Sequence, residues 1–255
     1  MHFNRAILKE NAKIPLRQSY WMAFAVSLVV ALLTGNVVNS FFNISFNFNI
    51  GDIMMYKNEF FHEFYHHIPW PFRVSFIWFT VVLGIIISFL GIAYKIFVGN
   101  ILELSEAHFY LENRKYPAPF TEVFNGFKEN YLNKVGVMFM RNLFISLWTL
   151  LFIVPGVIAS YKYWAVKYIL NENPNLSWQH ALDMSKRMTY GRKMDLFMLN
   201  LSFIGWRILG TLLFGIGNFF VNPYYAQTET EAYEFIKQDA LQNNRISYNE
   251  FSDMN

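Results

Sequence analysis

The chain contains no cysteine, which excludes disulfides and thiolate metal sites and leaves the redox compartment undetermined. Charge is scarce as well. Asp, Glu, Lys and Arg make up 15% of the 255 residues, where an ordinary soluble domain carries roughly 25%. There is no Gly-rich phosphate loop, no Ser/His/Asp arrangement and no pair of carboxylates on one apolar stretch. Asp195 stands alone at the edge of such a stretch, and Asp183 lies in a polar amphipathic one. The net charge of +3 is not gathered on a water-facing domain of the kind that binds nucleic acid. No cofactor is expected.

What is abundant is apolar bulk: 54% hydrophobic residues, including 28 Phe. A soluble chain of this size would expose much of that surface, and a bilayer removes the conflict. The hydrocarbon core needs roughly 20 apolar residues to be crossed by a helix. Residues 20–41 and 73–98 meet this, as do 135–154 up to Pro155-Gly156 and 194–214 up to Gly215-Ile216-Gly217. After each break the chain stays apolar and aromatic over 157–172 and 217–236, as returning spans or shorter re-entrant pieces. The count is therefore four to six. The first stretch follows a basic lead of Arg5, Lys9, Lys13 and Arg17 with no small-residue cleavage site after it, so it reads as a retained span.

An internal repeat favours six. The segment 139-FMRNLFISLW-148 matches 197-FMLNLSFIGW-206, and 149-TLLF-152 matches 211-TLLF-214 after one extra helical turn. Tyr163 falls against Tyr225 at the later offset. An amphipathic basic stretch precedes each copy, 120–134 and 177–193, the second with Ser177 as its expected N-cap. The expected fold is thus all-α: a single membrane domain over 1–255 of about six spans, built as two-helix units with amphipathic cytoplasmic helices between them. Of the 21 Lys and Arg residues, only Lys57, Arg73, Arg141 and Arg207 lie outside the terminal and inter-unit segments. This asymmetry puts both termini in the cytoplasm, leaving 42–72 as an extracytoplasmic loop and 239–255 as a polar tail. Ala23, Ser27, Ala31 and Gly35 recur every fourth residue, and Gly84 and Ser88 repeat the device. Such a face serves close helix packing within the chain or a homodimer.

One short stretch suggests chemistry. In 62-HEFYH-66, His62 and His66 sit one helical turn apart with Glu63 between them, the spacing of a zinc metallopeptidase helix. The third ligand is missing: after His67 the next acidic or histidine residue is Glu103, beyond the second span. The plainer reading is an amphipathic interfacial helix with Phe60, Phe61, Phe64 and Tyr65 among the headgroups. His62, Glu63 and His66 are carried as weak metal candidates, with no catalytic residue assigned. Polar groups at membrane depth are costly and mark function more often. Arg141, Asn142, Lys162, Asn200 and Arg207 are the candidates. Asn142 and Asn200 occupy the same repeat position and are expected to meet. Arg207 and Lys162 are expected to share a cavity that attracts an anionic lipid or small ligand.

The run 147-LWTLLFIVPGVIASYKYWAVKYILNENP-174, with 181-ALDMSKRMTYGRKMDLF-197, 201-LSFIGWRILG-210 and 222-NPYY-225, resembles the bacterial integral membrane proteins grouped as Domain of Unknown Function 975, over roughly 99–236. The resemblance implies a multi-pass protein of the bacterial cytoplasmic membrane with no established reaction, and it supplies no catalytic residues. The expected function is non-enzymatic, in envelope homeostasis or protection. The alternative is a small transporter or lipid-handling protein, which polar residues converging on a cavity would favour over a dry, packed bundle. A membrane zinc metallopeptidase is the third reading.

Overall fold

The computed structural model describes residues 2–35, 70–212 and 216–251, and every regular element among them is helical. Helix α1 (Arg5–Leu33) starts at Asn4, whose side chain accepts hydrogen bonds from the Ala6 and Ile7 amides. Pro15 lies inside it, removing a backbone donor. At Ser19 the backbone leaves helical geometry (φ −127°, ψ 17°), and the Ser19 hydroxyl donates to the Pro15 carbonyl. That kink separates the charged lead from the apolar remainder.

Helix α2 (Trp70–Tyr94) runs through a π-helical turn (Lys95–Gly99) into α3 (Asn100–Asn113). A 3₁₀ turn (Phe120–Phe127) then packs on α3, where Gly126 donates its amide to the Ser105 hydroxyl at 3.1 Å. A side chain on Gly126 would strike Ser105, which is why glycine stands there. The segment expected to form an amphipathic helix over 120–134 is thus a short turn feeding α4 (Tyr131–Leu151).

Two tight hairpins follow. Phe152, with extended backbone, separates α4 from α5 (Ile153–Lys162), and Pro155 sits in the first turn of α5, where a helix tolerates it. Gly156 lies so close to Thr149 that a Cβ there would stand 2.7 Å from the Thr149 Cα. After α6 (Val166–Glu172) and α7 (Trp178–Met188), α8 (Lys193–Leu201) and α9 (Ile204–Leu212) lead to the second hairpin with α10 (Ile216–Gln242). There a Cβ on Gly217 would lie 2.6 Å from the Gly210 Cα. Ser177 caps α7 as expected, accepting from the His180 amide.

Among the described residues, three helices are long and apolar enough to cross a membrane: Arg5–Leu33, Trp78–Asn113 and Tyr131–Leu151. This is fewer than six, for a structural reason. The stretch 157–172 is split by a turn at Tyr163–Ala165, and α5, at 10 residues, reaches only about 15 Å into a core of roughly 30 Å. The stretch 194–214 is split between α8 and α9. The long α10 carries Glu229, Glu231 and Glu234 within 217–236. The 42–72 loop, including His62, Glu63 and His66, lies outside the described residues apart from the start of α2.

The core has three parts. Phe203, Tyr168 and Tyr233 lead the first, between α6, α7, α8 and α10, with Tyr168 and Tyr233 stacked at 4.6 Å. Ala23, Val26, Val30, Leu102, Phe109 and Tyr110 join α1 to α3. Met138, Ala159, Val166 and Leu170 join α4, α5 and α6. Ala23, Ser27 and Ala31 are therefore buried against this chain's own α3 and α10. Gly35 ends the stripe in a left-handed turn (φ 75°). Ser88 turns back to the Gly84 carbonyl of its own helix, and among the described residues no atom stands within 4 Å of where a Cβ on Gly84 would lie.

Candidate functional site

Helices α1, α3, α6, α9 and α10 enclose a cavity of about 250 Å³ lined by Ser27, Glu103, Glu106, Tyr110, Lys167, Arg207, Tyr225 and Glu229, among others. It lies where the exposed apolar ends of the helices pass into the polar bundle. Two further cavities adjoin it, sharing Glu103 and holding Lys95 and Asn100. One adds Arg141 and Asn142, the other Glu106.

The α3 helix places Glu103 and Glu106 one turn apart, on the face turned toward this space. Arg141 of α4 is buried and reaches Glu103 at 3.2 Å, while its Nε donates to the Tyr163 carbonyl. Lys167 of α6 pairs with Glu229 of α10 at 3.3 Å. Glu229 also accepts from the Trp164 indole at 3.1 Å and the Tyr225 hydroxyl at 2.7 Å. A buried carboxylate is tolerable only when it is so supplied with donors. Glu106 is supplied differently, by the Ser27 hydroxyl at 2.9 Å, which also contacts the Tyr110 hydroxyl. Arg207 stacks its guanidinium over the Tyr225 ring, 4.3 Å from the centroid.

The candidates read from the sequence are distributed unevenly around this centre. Arg207 lines the cavity, and Arg141 holds one of its acids. Arg141 sits inside the bundle, ion-paired, and does not extend toward an interface. Asn142 and Asn200 do not meet. Asn142 donates to Asn100 at 2.9 Å, and Asn200 donates to the Tyr161 hydroxyl at 3.0 Å with Tyr225 beside it. Lys162 lies outside the cavity, its ammonium over the Tyr163 ring and its carbonyl accepting from Ser185. The lysine of the cavity is Lys167. Among the described residues, no three His, Cys, Asp or Glu side chains are grouped to hold a metal ion.

Glu103, Glu106, Lys167 and Glu229 were not singled out by sequence reasoning, although a signal for two of them existed. At the offset of 62 that aligns Tyr163 with Tyr225, Lys167 falls on Glu229. The two positions that this offset aligns and that meet are this pair of opposite charges. The same offset relates Thr149, packed on Gly156, to Thr211, which accepts from Asn218 at 3.1 Å.

Among the described residues the fold is all-helical, with three helices long and apolar enough to cross a membrane and a charged cavity between α1, α3, α6, α9 and α10. The model of the family described as protein of unknown function (DUF975) matches residues 5–240, nearly the whole chain, and the protein belongs to that family. No curated protein and no solved structure matches it.

Proposed function

We propose that this is a multi-pass protein of the bacterial cytoplasmic membrane, its termini on the cytoplasmic side, that holds the polar end of an amphipathic ligand as a small transporter or lipid-handling protein. The observation that carries the reading is the position of the cavity. Arg207 lines it from α9, whose Ile204, Trp206, Ile208 and Leu212 are exposed. A molecule entering there meets apolar side chains along its tail and charge at its head. A dry, fully packed bundle would instead have supported a purely structural role in the envelope. The action in this reading is binding, with Glu103 and Glu229 held by Arg141 and Lys167.

The crossings of the proposed multi-pass arrangement fall to the three helices long and apolar enough for them, Arg5–Leu33, Trp78–Asn113 and Tyr131–Leu151, while the shorter α5 and α9 turn back beside them. Lys and Arg gathered in the polar bundle support a cytoplasmic placement of that bundle. Extraction in mild detergent followed by native mass spectrometry tests the function. The expected result is a stoichiometric amphiphile on the wild-type chain, lost from an Ala226→Leu variant that narrows the cavity and still runs as a monodisperse particle. A wild-type protein that carries no such mass would overturn the reading. Reporter fusions within 42–72 and within 177–193 test the topology, and are expected to report opposite compartments.

A further inference from the structure

Among the described residues, two charged side chains of the cavity form no ion pair. Glu103 is paired with Arg141, and Glu229 with Lys167. Among the described residues, Glu106 forms no ion pair and accepts a hydrogen bond from Ser27. Arg207 likewise forms no ion pair, and its partner is the face of Tyr225. The two have opposite sign, line the same cavity, and do not bridge to each other. A carboxylate offers about four acceptor positions, so Glu106 has capacity that Ser27 does not fill. Leaving a partly buried charge in this condition is unfavourable unless something completes it.

The chemistry of each end selects its complement. A primary ammonium is a compact cation with three donors, suited to a carboxylate in a confined space. A guanidinium is a planar fork that matches the oxygens of a phosphate. Arg207 emerges among exposed apolar residues of α9, so an oxyanion reaching it arrives attached to something apolar. The cavity, at about 250 Å³, is smaller than the roughly 300–1,000 Å³ of sites that engulf a drug-sized molecule. It has room for a headgroup, and cavities of about 590 and 450 Å³ adjoin it at Glu103.

We infer that the cavity binds the headgroup of an aminophospholipid, its primary ammonium on Glu106 and its phosphate on Arg207. This deepens the amphiphile-binding reading above and rests on it. The geometry also sets a specificity. A phosphatidylglycerol headgroup has no cation for Glu106, and a choline headgroup carries a quaternary ammonium that cannot donate a hydrogen bond.

The test uses the full-length chain in phosphatidylcholine nanodiscs doped with equal amounts of phosphatidylethanolamine and phosphatidylglycerol, followed by mild detergent release and native mass spectrometry. Phosphatidylethanolamine is expected to be retained about tenfold over phosphatidylglycerol, a ratio equivalent to about 1.4 kcal/mol. Glu106→Gln is expected to bring that ratio close to one without abolishing retention. Arg207→Gln is expected to lower retention of both lipids. Glu106→Asp keeps a carboxylate and is expected to restore part of the preference, which separates loss of the carboxylate from local misfolding. An unchanged ratio in a monodisperse Glu106→Gln protein would overturn the inference, as would a wild-type preference for phosphatidylglycerol, while amphiphile binding itself stood. If no lipid is retained by the wild type, both fall together. Displacement by soluble O-phosphoethanolamine as effectively as by the lipid would assign the site to a free phosphoamine and overturn the lipid assignment.

Discussion

Helices α2 and α3 belong to one continuous rod and are treated in opposite ways. Along α2 the apolar side chains of Trp78, Phe79, Ile85, Phe89 and Leu90 are all exposed. Along α3, a helix carrying Asn100, Glu103, Ser105, Glu106, His108 and Glu112, ten of fourteen residues are buried. In a water-soluble protein the assignment would be reversed, because burying apolar area is what drives folding. The rod has the pattern expected if two solvents act on one chain, as the proposed membrane placement requires. The half holding α2, the α4/α5 hairpin and α9 shows apolar side chains outward, with Leu150 and Ile153 at 85% and 77% exposure. The half holding α3, α6, α7 and most of α10 buries its aromatics under a web of ion pairs such as Arg114–Glu231 and Lys237–Glu172. The charged cavity lies at the seam.

The comparison can be broken hardest in the polar half. Phe203 is fully buried, edge-on to Tyr224 and Tyr225 with the Lys9 ammonium 4.2 Å from its ring centre. Phe203→Ala is expected to cost about 3–5 kcal/mol, the range for truncating a buried aromatic, read as a large drop in melting temperature in detergent. The next largest effect belongs to the apolar half and has the opposite logic. Ile86 is half exposed, and in water Ile86→Arg would change stability by no more than about 0.5 kcal/mol. In a bilayer it should cost about 2.5–3.5 kcal/mol on insertion. A fall in the fraction of chain resisting alkaline extraction from membranes checks this. A variant that inserts as well as wild type would mean α2 faces water.

The seam between hairpin arms gives a smaller effect. Gly217→Val places a side chain against the Gly210 backbone, which has no flexible end to yield. The expected cost is about 1–3 kcal/mol, typical of overpacking, seen as a lower unfolding midpoint. The same substitution at Gly84, where nothing lies within 4 Å, is expected to be close to neutral.

Much of this division was legible in the sequence and part of it was not. The apolar stretches, the breaks at Pro155-Gly156 and Gly215-Ile216-Gly217, and the Ser177 cap all announce themselves locally. Span length did not, because an apolar run such as 157–172 has the composition of a crossing helix whether it inserts or turns into a packed core. Tyr163, Trp164 and Tyr168 are aromatic enough for lipid yet are buried among protein. The site was legible through its cations and silent in its anions. Arg207 and Arg141 stand out within apolar runs, whereas Glu103, Glu106 and Glu229 sit in stretches polar enough to pass as solvated surface. Only the partner across the fold shows that they point inward.

The smallest effect lies farthest from the apolar half, at the end of the chain. Arg187 of α7 binds Asp183 at 2.8 Å and also Glu250, while Glu250 and Ser247 form a capping box around the last 3₁₀ turn. Arg192 and Arg245 both hold Asp239. The hydrogen bond from Arg187 is the main influence keeping the Glu250 carboxyl below its usual range, against some burial. For Asp239 burial alone would push the carboxyl up, and Arg192 with Arg245 outweigh it. Both folded-state values are depressed, so the stabilisation is present above the ordinary carboxylate range and is lost as pH falls through the folded values. Neutral pH should therefore show the full latch, and acidification below about 4 should release it, near the unfolded reference for these groups. Glu250→Gln is expected to cost about 0.2–1 kcal/mol at neutral pH, the scale of a partly exposed pair, and to shrink the acid-induced step in amide exchange over 245–251. Salt should weaken this latch, since it sits in water, and should leave the burial of α2 untouched. If molar salt instead loosened α2 as much as the tail, the two halves would share one solvent after all.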